Sequence, residues 1–559
     1  MATMTNENSP LLADQDRPDN FIDNDTETTP KTTSRTREVA LFIWALLATA
    51  AVIVLAVWIQ HNQQTTSRRV PEKRNLVMMV SDGMGPASLS LTRSYRQHVH
   101  GLPIDDTLVL DQHFWGTSRT RSSNSLVTDS AAGATAFSCG KKTYNGAISV
   151  TPDYEPCGTV LEAAKRAGYH TGLVVTTDIT DATPACFASH VLMRVMEDDI
   201  ALQEIGDGVL GRSVDLMLGG GRCHFLPNTT EGSCRLDDVD VVRMAKEKYN
   251  WTYADSRKGF NSLKGGNNVQ LPFMGLFASN DIPFELDRRN MNDTYPSLSE
   301  MATTALRALE LATADSDKGF FLMIEGSRID HAGHYNDPAA QVNEVIEYDR
   351  AFKAVLDFID QSNTETVLVA TSDHETGGLA TAIQPPGHLP VYNWYPQVLA
   401  NASSSCERLT ARFQDHISSN PISDSSADKI KSWVNDELIV SGLGITDATD
   451  SELDLFVEKP AEAIYHLTDI ISLRAHVGWS THGHTAVDVN IYTSDPKGLN
   501  DGSRRNVENT DVGVFLREYL DVDVEEITKE LQEKMAKPDV SMLKLDAPID
   551  EYHLRDIIG

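Results

Sequence analysis

Leu76-Val77-Met78-Met79-Val80 runs directly into Ser81-Asp82-Gly83-Met84-Gly85. An apolar run with no polar alternate reads as a strand buried on both faces, as in a parallel sheet covered by helices. An acidic residue in a glycine turn follows it at once. The pattern recurs three times: Thr171-Gly172-Leu173-Val174-Val175-Thr176 leads to Asp178 and then Asp181-Ala182-Thr183-Pro184. Phe320-Phe321-Leu322-Met323-Ile324 runs into Glu325, then Asp330, His331 and His334, and Thr366-Val367-Leu368-Val369-Ala370 leads to Asp373-His374. Helical stretches alternate with these runs, so the chain reads as α/β, with a central, mostly parallel sheet flanked by helices. Ligands bind beyond the carboxyl ends of such strands. Asp, Glu and His gathered at several of them form a donor set for Zn²⁺ and Mg²⁺. One acidic strand end is ordinary turn chemistry; four are not. Gly83-Met84-Gly85 is not a dinucleotide fingerprint, because Ser88 stands where the third glycine belongs and Asp82 would repel a pyrophosphate.

The 559 residues carry 48 Lys+Arg against 80 Asp+Glu, a net charge of −32, and are 41% apolar. That is enough to bury a large core, and too acidic for a general nucleic-acid surface. It does not exclude an anionic substrate, since metal ions reverse the local sign. Val39 to Ile59 is apolar except for Thr49 and spans about 31 Å as a helix, the depth of a bilayer core. A long polar stretch precedes it and no small-x-small cleavage site follows, so it reads as a single-span anchor and not a signal peptide. Basic residues flank both ends and do not orient it. The sequons at Asn228, Asn250, Asn292 and Asn401 and all six cysteines follow the span, although Asn24 precedes it. This favours a type II protein with a lumenal body. Glu7-Asn8-Ser9-Pro10-Leu11-Leu12 resembles an acidic dileucine sorting signal, for which an adaptor reading Glu7, Leu11 and Leu12 is the implied partner.

Thr128-Asp129-Ser130-Ala131-Ala132-Gly133-Ala134-Thr135-Ala136 reads as a capped helix start whose small residues admit a close neighbour. The same segment reads as a nucleophilic serine at a helix N-terminus. No adjacent histidine activates it; a zinc ion could. With Val127 in front, this segment closely resembles the signature of the alkaline phosphatases. The whole chain is similar to the fungal vacuolar members of that family, in ordered blocks from about Asn75 to Asp521. A sulfatase of the same superfamily needs Cys-x-Pro-x-Arg, which the sequence lacks.

The resemblance implies an alkaline-phosphatase-like three-layer sandwich with a crown-type insertion, two Zn²⁺ and one Mg²⁺ per subunit, and a homodimer. It implies that Ser130 becomes a phosphoserine, and that Asp82, Asp373 and His374 hold the zinc that activates it. Asp330, His334 and His484 hold the second zinc; His484 is preferred over His476 and His482 because it precedes Thr485, as in the family's His-Thr pair. Asp82, Thr183 and Glu325 surround Mg²⁺ with Asp181 nearby through water. Arg194, ten residues after Pro184, clamps phosphate. His331, beside Asp330, matches the animal enzymes and reaches phosphate from the outer shell, whereas Asp181 matches the bacterial choice. This mixed pair leaves Mg²⁺ affinity and pH optimum open.

The implied organisation is a disordered cytosolic tail (1–38), a span (39–59), a stalk (60–75), a catalytic body (76–535) and a C-terminal tail (536–559). Residues 378–479 form the crown-like insertion, with a polar cluster at Ser403-Ser404-Ser405; a surface excursion without function is the plain alternative. Cys223 and Cys234 are close enough to pair, and Cys139 and Cys186 read as buried free thiols. The functional expectation is a vacuolar-membrane phosphomonoesterase of broad specificity, with phosphopeptides among its substrate candidates. A phosphodiester or phosphonate hydrolase is the alternative, and a non-enzymatic anchored interaction protein a third.

Overall fold

The computed structural model describes residues 35–65, 73–385, 387–495 and 505–535. Glu7, Leu11, Leu12, Asn24, part of the stalk and the C-terminal tail lie outside the described residues. The chain divides into two units, Met1–Val70 and Pro71–Gly559.

In the first unit, Arg35–Thr65 is one helix, longer at both ends than the expected span. Its window Arg37–Ala56 is long and apolar enough to cross a membrane, and large apolar side chains such as Leu41, Phe42, Trp44 and Val54 are exposed along it.

The second unit is built on a ten-stranded sheet. Its strands are β1 (Arg74–Val80), β2 (Phe114–Arg119), β3 (His170–Asp178), β4 (Leu216–Gly220), β5 (Thr252–Ala254), β6 (Phe273–Leu276), β7 (Phe320–Glu325) and β8 (Glu365–Thr371). A small ribbon, β9 (Glu375–Thr376) with β10 (His484–Thr485), stands apart, and β11 (Val489–Thr493) and β12 (Asn506–Glu508) complete the large sheet. The order is β12-β2-β11-β8-β1-β7-β3-β4-β6-β5. Only β11 runs antiparallel to its neighbours.

The four strands legible in the sequence are the contiguous centre, β8-β1-β7-β3. Side chains along them alternate between two cores: Val77 and Met79, with Phe320, Leu322 and Ile324, enter one helical layer. Leu76, Met78 and Val80, with Phe321 and Met323, enter the other. Both faces are therefore dry, which is why the strands carry no polar alternation. Register aligns the ends: Val80 pairs with Glu325 on one side and Thr371 on the other, so Asp82, Glu325 and Asp373 reach the same rim.

Residues 378–479 leave and rejoin the body at one place. Ala380 bridges Gly478, and His484 pairs with Thr376 in the β9–β10 ribbon. Between these points lie helices including Pro396–Asn401, Cys406–Ser419, Asp450–Glu458 and Ala463–Ala475. Their apolar faces close a core with Leu91, Leu286 and Val342 of the body. Two of the three serines are internal: Ser404 Oγ donates to Asp287 Oδ1 at 2.6 Å, and Ser405 caps the helix that follows, while Ser403 is exposed. Glu407 pairs with the buried Arg328 of the body. Segment 378–479 thus packs against the body.

The thiol expectations divide. Cys223 and Cys234 form a disulfide. Cys139 is not free, because it is bonded to Cys157. Cys186 is a buried free thiol, as is Cys406.

Candidate active site

Helix Ser130–Ser138 begins at the rim, with Asp129 as its cap: Asp129 Oδ1 accepts from Ala132 N at 2.9 Å and Oδ2 from Gly146 N at 2.7 Å. This double anchoring fixes Ser130 at the first helical position, where backbone N–H groups are free to face an anion. Ser130 Oγ lies 3.1 Å from His374 Nε2. The alanine-glycine run lets the helix lie against the β8 end, since a Cβ on Gly133 would come within 2.8 Å of Asp373 Cβ. Gly83, at φ +73°, has the same role on the other side, where a Cβ would meet Asp330 Cα at 2.6 Å.

Two donor groups converge here. Asp82, Asp373 and His374 form one: His374 Nε2 is 3.2 Å from Asp373 Oδ2 and 3.5 Å from Asp82 Oδ1. Asp330, His334 and His484 form the other: His334 Nε2 lies 3.3 Å from Asp330 Oδ2 and 3.0 Å from His484 Nε2. The outward nitrogens are occupied, His484 Nδ1 by the Thr128 carbonyl at 2.8 Å and His334 Nδ1 by the His482 carbonyl. Each ring therefore presents Nε2 inward, the arrangement in which a backbone acceptor orients a metal-ligating imidazole. His482 Nδ1 is turned to the His334 carbonyl and His476 ends helix Ala463–Ala475, so neither enters the group.

A third cluster surrounds Glu325, whose Oε2 accepts from Ser327 Oγ at 2.7 Å. Asp181 caps the helix Ala182–Ala188, which carries the buried Thr183. Arg194 Nη2 donates to Asp181 Oδ1 at 2.7 Å, and its Nη1 stands 3.9 Å from Asp129 Oδ2. Arg194 thus lies between the magnesium candidates and the Ser130 cap. His331 pairs outside the two donor groups, with Nδ1 3.0 Å from Asp281 Oδ2 beside Arg328.

The residues suit bound cations. Asp82 Oδ1, Asp373 Oδ2 and Thr183 Oγ1 are buried with no hydrogen-bond partner among the described residues. Burial first, then Asp373 and Asp330, push the Asp82 carboxyl well above its ordinary range. Burial likewise raises Glu325 to about 8, against the opposing Ser327 hydrogen bond. Burial and then His484 hold the His374 imidazole well below its usual value. Carboxylates buried this closely require positive charge between them, and the mixed carboxylate-imidazole sets match zinc, while the all-oxygen set around Glu325 matches magnesium.

The four sequon asparagines, Asn228, Asn250, Asn292 and Asn401, are exposed.

Residues 73–522 match the family described as alkaline phosphatase. The chain is 52% identical to the repressible alkaline phosphatase of Saccharomyces cerevisiae, over 86% of this chain and 87% of that one. It is 43% identical to an alkaline phosphatase of Schizosaccharomyces pombe, over 88% and 89%. Among solved structures it is similar to the cold-active alkaline phosphatase of a Shewanella species, at 29% identity and a TM-score of 0.64, over 80% of this chain and 99% of that one.

Proposed function

Since the chain belongs to the alkaline phosphatase family, a group of metal-dependent phosphate monoester hydrolases, we propose that it acts through a phosphoserine at Ser130 and on a broad range of monoesters. The observation that carries this reading is Ser130 Oγ, at a helix N-terminus and 3.1 Å from His374 Nε2 of the buried Asp82–Asp373–His374 donor group.

Two zinc ions would be held by Asp82, Asp373 and His374 and by Asp330, His334 and His484, and a magnesium ion by Asp82, Thr183, Glu325 and Asp181. When bound, they supply the charge that makes a hydroxyl or water nucleophilic at neutral pH and offsets developing negative charge on oxygen. Ser130 Oγ forms the bond to phosphorus while the ester oxygen departs opposite it as the alcohol. Water then cleaves the phosphoserine, restoring the hydroxyl and releasing inorganic phosphate. Arg194 leaves part of its contact with Asp181 to grip two non-bridging oxygens at once. That grip favours a terminal phosphate, which has three such oxygens, over a diester. His331, held by Asp281, contributes positive charge from the outer shell.

Ser130→Ala should lose nearly all turnover of p-nitrophenyl phosphate while retaining its metals, and acid-quenched wild type should carry labelled phosphate on Ser130. An undiminished rate in the variant would remove the nucleophile assignment. Faster turnover of bis-nitrophenyl than of mono-nitrophenyl phosphate would replace the monoesterase reading with a diesterase.

The family and the helix Arg35–Thr65 also support a type II protein of the vacuolar membrane, with the organisation and glycosylation sites set out above, sorted through Glu7, Leu11 and Leu12 and working as a homodimer. Gel mobility before and after glycosidase, and protease protection of sealed vacuoles, check the topology.

A further inference from the structure

One polar cluster stands outside this chemistry. Asp178 ends β3, Glu197 opens the helix Glu197–Leu202, and His224 sits in the turn Arg222–Phe225 after β4. Their ligand atoms lie within 4.8 Å of one another. His224 Nε2 is 3.0 Å from Glu197 Oε2 and 3.4 Å from Asp178 Oδ2. Donors bound at about 2.0–2.2 Å to one ion stand roughly 3.0–3.5 Å apart.

The turn that brings His224 here is tightly fixed. Gly221 has φ +81°, and a Cβ on it would fall 2.9 Å from Asp178 Cα. The Cys223–Cys234 disulfide closes the loop beside it. Arg235 Nη1 donates to the carbonyls of His224 and Asp198, each at 3.0 Å.

A protonated His224 between two carboxylates would be a sufficient account if the remaining charges were satisfied, and they are not. Glu204, in the segment behind Glu197, is fully buried, and neither carboxylate oxygen has a hydrogen-bond partner among the described residues. Burial first, then repulsion from Glu197, push its carboxyl well above the ordinary range. Asp178 Oδ1 and His224 Nδ1 are also buried with no hydrogen-bond partner among the described residues. Asp198 adds a fourth carboxylate, 3.8 Å from His224 Nδ1. Arg235 stands 3.8 Å from Asp198 Oδ1 and pairs with Asp237, so it offsets Asp198 but does not reach Asp178, Glu197 or Glu204 in any ion pair among the described residues, and Arg328 pairs with Asp281 and Glu407.

We propose that Asp178, Glu197 and His224 hold a further divalent cation of the zinc class. One imidazole with carboxylates selects a first-row transition ion over calcium, whose sites are all oxygen. Its place suggests its role. Asp178 lies three residues before Asp181 and Glu197 three after Arg194, and Thr180 Oγ1 already donates to Glu197 Oε2 at 2.5 Å. An ion bridging the two segments fixes the distance between Asp181 and Arg194, so it is a structural clip for the phosphate clamp.

The test is metal content of the full-length, detergent-purified protein after dialysis against Zn²⁺ and Mg²⁺. His224→Gln and Glu197→Gln should each contain one zinc equivalent fewer than wild type; an unchanged content overturns the proposal. Should these variants fail to fold, Asp373→Ala/His334→Ala, which removes a ligand from each catalytic zinc group, decides the matter. One zinc equivalent retained there supports the clip, and none overturns it. The first comparison is a difference and stands whatever the catalytic ion count, so failure of the clip and failure of the three-ion reading are told apart.

Discussion

Replacing Gly133 by alanine sets two known effects against each other. In an exposed helix the change stabilises by about 0.5–1 kcal/mol, because glycine loses more backbone freedom on folding. Here the added Cβ would stand 2.8 Å from Asp373 Cβ. Carbon atoms settle at about 3.5–4.0 Å, so the helix and the β8 end must part by about 1 Å. Neither side yields easily: Asp129 anchors the helix start through Ala132 and Gly146, and Asp373 is fully buried. Overpacking of this kind costs roughly 1–3 kcal/mol, so Tm should fall. The displacement is shared between the nucleophile and a metal ligand, and a 1 Å error in reacting geometry costs on the order of 100-fold. We therefore expect Gly133→Ala to lower kcat for p-nitrophenyl phosphate by about two orders of magnitude, with a smaller change in KM. Initial rates under saturating metal and a thermal melt measure both. A Tm that rises with kcat unchanged would show slack between helix and strand, and would refute the claim that close packing positions Ser130.

Arg194→Ala should weaken inhibition by inorganic phosphate more than it lowers kcat, and an unchanged inhibition constant would count against the clamp. Chelation should lower Tm as well as abolish turnover, because Asp82, Asp373, Asp330 and Glu325 repel one another once the cations leave; calorimetry with and without chelator measures the difference. His190 is buried, with Nε2 2.8 Å from Glu162 Oε1, and although burial lowers its basicity, Glu162 outweighs this and its pKa is raised. The folded state thus holds this proton more tightly than the unfolded chain. The pair's contribution is complete below the unfolded value of about 6.5 and fades as pH rises through the folded one. The Tm difference between wild type and His190→Gln should be larger at low pH than at high pH, and a pH-independent difference would dismiss the pair as a source of stability.

How much of this was legible in the sequence follows from where each residue's constraint originates. Strands buried on both faces must be apolar throughout, so β1, β3, β7 and β8 announce themselves, and parallel register carries Asp82, Glu325 and Asp373 to one rim. The short strands β5 and β12 lack that signal because each is three residues long at a sheet edge with one neighbour, and β2 lacks it because Gly116, Thr117 and Ser118 interrupt any apolar run. His484 is different again. It lies 150 residues after His334, and the β9–β10 ribbon at the foot of the insertion delivers it. No local pattern separates it from His476 or His482; the resemblance did. Cys139 reads as a free thiol because a partner eighteen positions along the chain leaves no mark in spacing. The serine cluster has the composition of surface, yet Asp287 on the body accepts from the Ser404 hydroxyl and the Ser405 N–H. Glu197 and His224 carry no such signal, because neither follows a strand that ends in acid: one opens a short helix and the other sits behind three glycines. The one signal available was that triplet, Gly219-Gly220-Gly221, since a backbone with no Cβ for three residues is being pressed by something. It is pressed by the chain at Asn280 and at Asp178, and the residue those glycines carry into place is the imidazole whose metal the dialysis experiment counts.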